Sequence, residues 1–141
     1  MIYRLLNLEE KEAVLRKLRE INHLEHLIPP DADMETVCRR MAKVKVVGAF
    51  DDAGNIAFVY WTYRADAELK RRCIAVGALD RITGVMLREM RRCVEYLTQE
   101  WELWGEIDAD NPRGVHLGEL CGFTVAGVRD SKIIVKHERS T

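Results

Sequence analysis

The chain has 141 residues, 48% of them hydrophobic and 32% charged, which is the composition of one ordinary globular domain and excludes a disordered segment. Its 22 basic and 23 acidic residues leave a net charge of −1, so no global field steers it onto nucleic acid or an anionic membrane. No stretch approaches the roughly 20 apolar residues a spanning helix needs. Cys38, Cys73, Cys93 and Cys121 form no CxxC pair, which points to free thiols in a reduced, cytoplasmic protein that opens without a signal peptide.

Residues 2–6 read as a short strand. Asn7 then caps a helix, with Glu10 three residues on as in a capping box. Leu8, Val14, Leu15, Leu18, Ile21 and Leu24 recur at helical spacing until Pro29-Pro30 ends the element. Asp31 or Asp33 caps a second helix carrying Met34, Val37, Cys38 and Met41 on one face.

Residues 44–50 are rich in β-branched side chains. A turn cluster over residues 51–55, with Gly54 free to take positive φ, joins them to a second strand over 56–64. Residues 72–79 form a third, buried strand. The long helix over 82–99 has an apolar stripe of Val85, Met86, Met90, Cys93, Val94 and Leu97 and a wet face of Arg88, Glu89, Arg91, Arg92 and Glu95.

Another strand covers 102–109. Asn111 then starts a short helix with Pro112 at its first position, and Gly122 ends it. Residues 123–129 and 132–137 close the chain as a hairpin around Asp130-Ser131. The order β-α-α-β-β-β-α-β-α-β-β predicts a single α/β domain over 1–141, with a mixed, mostly antiparallel sheet of six to seven strands and helices on both faces.

This order resembles the fold of the GNAT acetyltransferases, and two stretches carry the resemblance. In the first, Arg81-Ile-Thr83-Gly84-Val85-Met86 is similar to the family's Arg/Gln-x-x-Gly-x-Gly/Ala loop, which leads from a strand ending near Val76 and Ala78 into the long helix. Successive N–H groups at a helix start form an anion site, here for the pyrophosphate of coenzyme A, and glycine lets the backbone approach closely. In the second, Asn111 to Phe123 is similar to Asn-x-x-Ala-x-x-Leu-Tyr-x-x-x-Gly-Phe, with Asn111, Leu117, Gly122 and Phe123 in register. The chain departs from the pattern at Met86, where the family has Gly or Ala, and at Gly118, where many members have the tyrosine that protonates the departing thiolate. Leu103-Trp104 and the Asn111–Gly122 segment are also similar to small GNAT-like phage proteins, including virion proteins, which lack an evident catalytic set.

The resemblance implies an N-acetyltransferase that uses acetyl-CoA as donor and an amine, on a small molecule or protein, as acceptor. The alternative is a catalytically inactive binding or structural protein on the same scaffold, in a phage virion or at a host interface. The donor site would use Val76, Ala78, Arg81, Thr83, Gly84, Val85, Met86 and Asn111, with the pantetheine arm entering where the third strand splays from the 102–109 strand.

The reaction also needs a base. Glu106, Asp108 and Asp110 alternate on one strand and its end, so they share a side: a cleft wall, or a solvated strand face. His116 on the short helix is a second acid–base candidate, or an ordinary surface histidine. His23 and His26 are three apart but have no further ligand nearby, and no metal is expected. The basic runs Arg39-Arg40, Lys70-Arg71-Arg72 and Arg91-Arg92 read as solvated faces or as contacts for the 3′-phosphate of coenzyme A. Exposed edges of such a sheet are where a homodimer would form.

Overall fold

A computed structural model describes residues 1–20 and 33–140. Among these residues the order is β1 (Ile2–Leu5), α1 (Leu8–Glu20), α2 (Met34–Met41), β2 (Val47–Phe50), β3 (Ile56–Asp66), β4 (Arg71–Ala78), α3 (Gly84–Thr98), β5 (Glu102–Asp108), α4 (Pro112–Leu120), β6 (Thr124–Arg129) and β7 (Lys132–His137). The seven strands form one sheet in the order β1-β2-β3-β4-β5-β7-β6. The β1–β2, β2–β3, β5–β7 and β6–β7 ladders are antiparallel, and β4–β5 is parallel. The mixed, mostly antiparallel sheet expected from the element order is therefore present. The predicted continuation of the first helix to Leu24, its proline stop, the Asp31 cap and the His23/His26 pair lie outside the described residues.

The chain divides into two compact units, Met1–Trp61 with Ala75–Ile82, and Thr62–Ile74 with Thr83–Thr141. In the first, the capping box forms in both directions. Glu10 N–H donates to Asn7 Oδ1 at 2.8 Å and Asn7 N–H to Glu10 Oε1 at 3.0 Å, while Arg4 clamps the same carboxylate at 2.9 and 2.7 Å. Of the predicted stripe, Val14, Leu15 and Leu18 are buried, but Leu8, in the first turn, is 64% exposed. Asp33 caps α2 by accepting the Thr36 N–H, and Lys11 Nζ donates to the carbonyls of Met41, Ala42 and Val44 at and after the helix end. Gly77 has no side chain because Leu18 lies where one would go: a Cβ there would stand 2.9 Å from both Leu18 methyls.

In the second unit, α3 begins two residues later than expected, because Thr83 rather than a residue before Ile82 is the cap and accepts the Met86 N–H. The stripe is Met86, Met90, Val94 and Thr98, whereas Val85 is 55% exposed. Thr98 is fully buried, and its hydroxyl donates to the Glu95 carbonyl. At the end of α4, Gly122 N–H donates to the Glu119 carbonyl and Phe123 N–H to that of Gly118, each at 2.9 Å. This is a Schellman cap, with Gly122 at φ +94° and Phe123 buried behind it. The β6–β7 hairpin turns at Asp130 and Ser131, both at positive φ, as a two-residue turn that matches strand twist requires.

Candidate functional site

The parallel ladder between β4 and β5 pairs Arg71 with Glu102, Arg72 with Leu103 and Cys73 with Trp104, and stops there. β4 itself runs on to Ala78, and β5 continues to Asp108 paired with β7 instead. Of the predicted donor residues in this stretch, Val76 is 44% exposed and Ala78 is buried at 7%.

After β4, Arg81 is exposed, and Asp80 accepts its backbone N–H. The loop then enters α3. Thr83, Gly84 and Val85 are exposed at the helix start, and a Cβ at Gly84 would meet nothing within 4 Å. Because the Thr83 hydroxyl already takes the Met86 N–H, the outward donors of this first turn are the amides of Gly84 and Val85. Met86 is only 5% exposed and lies in the core, so its length does not obstruct the helix start. Family glycine and alanine at that position are thus replaced here without loss of the open first turn.

The predicted carboxylates separate. Glu106 lies within 3.3 Å of Arg64 and 3.8 Å of Arg129, with its side chain 28% exposed. Asp108 is held by Lys132, its cross-strand neighbour in the β5–β7 ladder. Asp110 lies past the strand end and is exposed, as is His116 on α4. Asn111 caps α4, its Oδ1 accepting the Gly114 N–H at 3.1 Å, which leaves the side-chain NH2 as its remaining donor.

Around Glu106 the fold assembles a group that the sequence pattern did not reveal. Tyr63 on β3 and Cys73 on β4 both feel the Glu106 carboxylate. Burial, with the neighbouring thiol and carboxylate adding to it, pushes the Tyr63 phenol up to about 12. Burial likewise raises the Cys73 thiol. Both groups thus stay protonated at neutral pH, a donor phenol and an inert thiol. Arg64 completes the group from an unusual backbone: it sits in the left-handed region at φ +49° although it belongs to a strand. Non-glycine residues rarely adopt this conformation unless the surroundings impose it. Its guanidinium reaches Glu106 and lies 5.6 Å from the centre of the Tyr63 ring. Three strands contribute to this group, so no spacing within one segment announces it.

No protein-family model matches the chain, and no curated protein matches it. Solved structures do. A mutant of the spermidine N-acetyltransferase SpeG from Vibrio cholerae superposes with a TM-score of 0.74 at 14% identity, covering 99% of this chain and 95% of that one. The aminoglycoside acetyltransferase AAC(6')-Ib in complex with coenzyme A and kanamycin gives 0.76 at 16% identity, covering 97% and 94%. The same enzyme with paromomycin and acetyl-CoA gives 0.76 at 16%, covering 97% and 92%. At these identities the likeness is one of architecture, and the architecture is that of the GNAT acyl-CoA N-acyltransferases.

Proposed function

We propose that this protein is an N-acetyltransferase that moves the acetyl group of acetyl-CoA to an amine acceptor. The observation that carries the reading is the open start of α3, where Gly84 and Val85 are exposed and a Cβ on Gly84 would meet nothing within 4 Å. Pantetheine contains two amides, for which the backbone of β4 at Val76 and Ala78 is the proposed partner. The amides of Gly84 and Val85 at the open start of α3 suit the pyrophosphate, and Arg81 precedes them in the chain. Val76, Ala78 and Thr83 shape the backbone on either side, Met86 anchors the helix in the core, and Asn111 keeps an amide donor for the arm.

In the reaction the acceptor amine attacks the thioester carbonyl after losing a proton, and the collapsing intermediate expels the coenzyme A thiolate, which must regain one. Glu106 is the proposed base, placed between Arg64 and Arg129. Asp108, committed to Lys132, and the exposed Asp110 and His116 are weaker choices. Gly118 has no proton to give. The Tyr63 phenol beside Glu106 is a donor that can replace the missing tyrosine.

The second reading, a scaffold that binds without turnover, as a phage virion or host-interaction protein would, rests on Gly118 and on the likeness of Leu103-Trp104 and the Asn111–Gly122 segment to small phage proteins. Calorimetric titration with acetyl-CoA, with coenzyme A as control, is the test. Micromolar binding supports the donor site and leads to an acceptor screen by thiol release. Absence of binding at millimolar ligand would sink the acetyltransferase reading.

A further inference from the structure

Glu106 is one carboxylate facing two guanidinium groups, Arg64 from β3 at 3.3 Å and Arg129 from β6 at 3.8 Å. We propose that the acceptor is an amino acid, whose carboxylate docks on Arg64 and Arg129 while its amine meets Glu106, so that the protein selects amines carrying a carboxylate close by. The inference rests on the acetyl-transfer reading, with Glu106 as base, and adds to it the chemical class of the acceptor.

The group carries an excess of positive charge. Two guanidiniums face one carboxylate, and the Tyr63 phenol beside them stays neutral because burial pushes it up to about 12. The other carboxylates of β5 do not offset the excess: Glu102 is paired with Arg71 and Asp108 with Lys132. An acceptor that brings only an ammonium meets this excess, whereas one that also brings a carboxylate cancels it. Both guanidiniums approach the same oxygen, Glu106 Oε1, through one nitrogen each, and their side chains are 68% and 71% exposed. Each therefore keeps donors of its planar fork for a second carboxylate. No hydrogen bond from a described residue reaches Glu106 Oε2, which leaves that oxygen for the amine.

The backbone of β3 is bent to bring Arg64 to this place. Side chains alternate along a strand, so Tyr63 and Arg64 should point to opposite faces. Yet the phenol feels the Glu106 carboxylate and the guanidinium reaches it. The left-handed conformation of Arg64, at φ +49°, breaks the alternation and turns both toward one carboxylate. An exposed ion pair contributes too little to hold a non-glycine residue in that conformation, and such outliers gather where a ligand is bound. Room for the ligand lies in the same row of the sheet. Glu106 pairs with Ile134, and Ile134 with Gly127, which shares a strand face with Arg129. A Cβ on Gly127 would meet nothing within 4 Å. Because both guanidiniums stand so near the base, the acceptor's carboxylate must lie near its amine, as in an α- or β-amino acid. Lysine side chains and N-termini of proteins have none there, so the expected acceptor is a small molecule. The carboxylate only positions: the amine nitrogen bonds to the acetyl carbon, its proton passes to Glu106 and the carbon–sulfur bond breaks.

The test measures thiol release from acetyl-CoA with a panel of L-amino acids, each against its own carboxamide. The carboxamide keeps the shape, and its amine is the more readily deprotonated of the two, so intrinsic reactivity favours it. Wild type is nevertheless expected to use the best amino acid with a kcat/KM at least tenfold above that of its carboxamide. Arg129→Gln should cut this preference at least fivefold, mainly by raising KM for the amino acid, and Arg129→Glu should reverse it. Arg129 is exposed on an edge strand, so the melting temperatures of both variants should stay close to that of wild type. Carboxamides used as well as amino acids by wild type, or a preference that survives Arg129→Glu, would overturn the proposal and leave the acetyl-transfer reading standing. Thiol release with neither set, although acetyl-CoA binds, would sink the transfer reading and this proposal with it.

Discussion

The side-chain amide of Asn111 occupies the space that a β-carbon on residue 114 would need. Such a carbon would stand 2.6 Å from Asn111 Nδ2 and 3.0 Å from Ile107 Cγ2. The glycine that seems to weaken α4 thus admits the cap that starts it. By contrast, a β-carbon on Gly118 would meet Ile107 and Phe123 at 3.8 Å, ordinary contact. Two glycines in one helix therefore have opposite sensitivities. Gly118→Ala should stabilise the protein by up to about 1 kcal/mol through helix propensity. Gly114→Ala should destabilise it by about 1 kcal/mol, because overpacking and a displaced cap outweigh the same gain. Urea unfolding of the two variants decides the matter, and equal shifts of one sign would refute the contrast.

Gly84→Glu separates binding from folding. The side chain projects into open space, so no packing is lost. A carboxylate in the first turn of a helix is itself mildly favourable to the helix. Thermal stability should therefore stay level or rise slightly. Acetyl-CoA affinity should fall at least tenfold, since a negative charge would then occupy the proposed pyrophosphate position. A variant that folds and binds acetyl-CoA normally would show that the donor phosphates lie elsewhere.

The capping box at the start of α1 predicts how stability depends on pH. Hydrogen bonds from Arg4, and next from the Asn7 N–H, lower the Glu10 carboxyl to about 2. Its folded value is thus below its unfolded one. Its contribution is complete above about pH 4.5 and is lost as pH falls toward 2. Glu10→Gln should lower the urea midpoint at pH 7 but leave little difference from wild type near pH 2. Asn7→Ala removes the other half of the box and should cost about 1 kcal/mol at pH 7. A gap between wild type and Glu10→Gln that is the same at both pH values would contradict the account.

Local signals were legible in the sequence wherever one segment satisfies its own backbone groups. Asn7 with Glu10, Asp33 before Met34, Asn111 before Pro112 and Gly122 before Phe123 all mark helix ends where the caps form. The turn at Asp130-Ser131 was legible for the same reason. Periodicity alone placed Val85 in the stripe and missed Thr98, because the cap at Thr83 sets the helix start and hence which side faces inward. The group of Tyr63, Cys73 and Glu106 was not legible at all. It depends on the order and register of three strands, and on a left-handed Arg64 that no composition rule announces.

Arg64 and Glu106 give the sharpest test of the proposed chemistry. If Glu106 takes the acceptor's proton, Glu106→Gln should cut turnover roughly 100-fold or more, with acetyl-CoA affinity changed less than twofold. Turnover is read as thiol release with an acceptor found by screening. Arg64 has a separable signature, because its backbone and its side chain pull in opposite directions. At φ +49° glycine is more comfortable than arginine, so Arg64→Gly should relieve backbone strain and keep or raise the melting temperature. The same change removes the guanidinium 3.3 Å from Glu106 and should lower kcat. Arg64→Lys restores a charge without the fork and should recover part of the rate without recovering the strain relief. A loss of stability in Arg64→Gly would mean that the side-chain contacts, not the backbone, dominate at this position. An unchanged kcat in both Arg64→Gly and Glu106→Gln would remove this group from the mechanism and return the choice of base to Asp108 or His116.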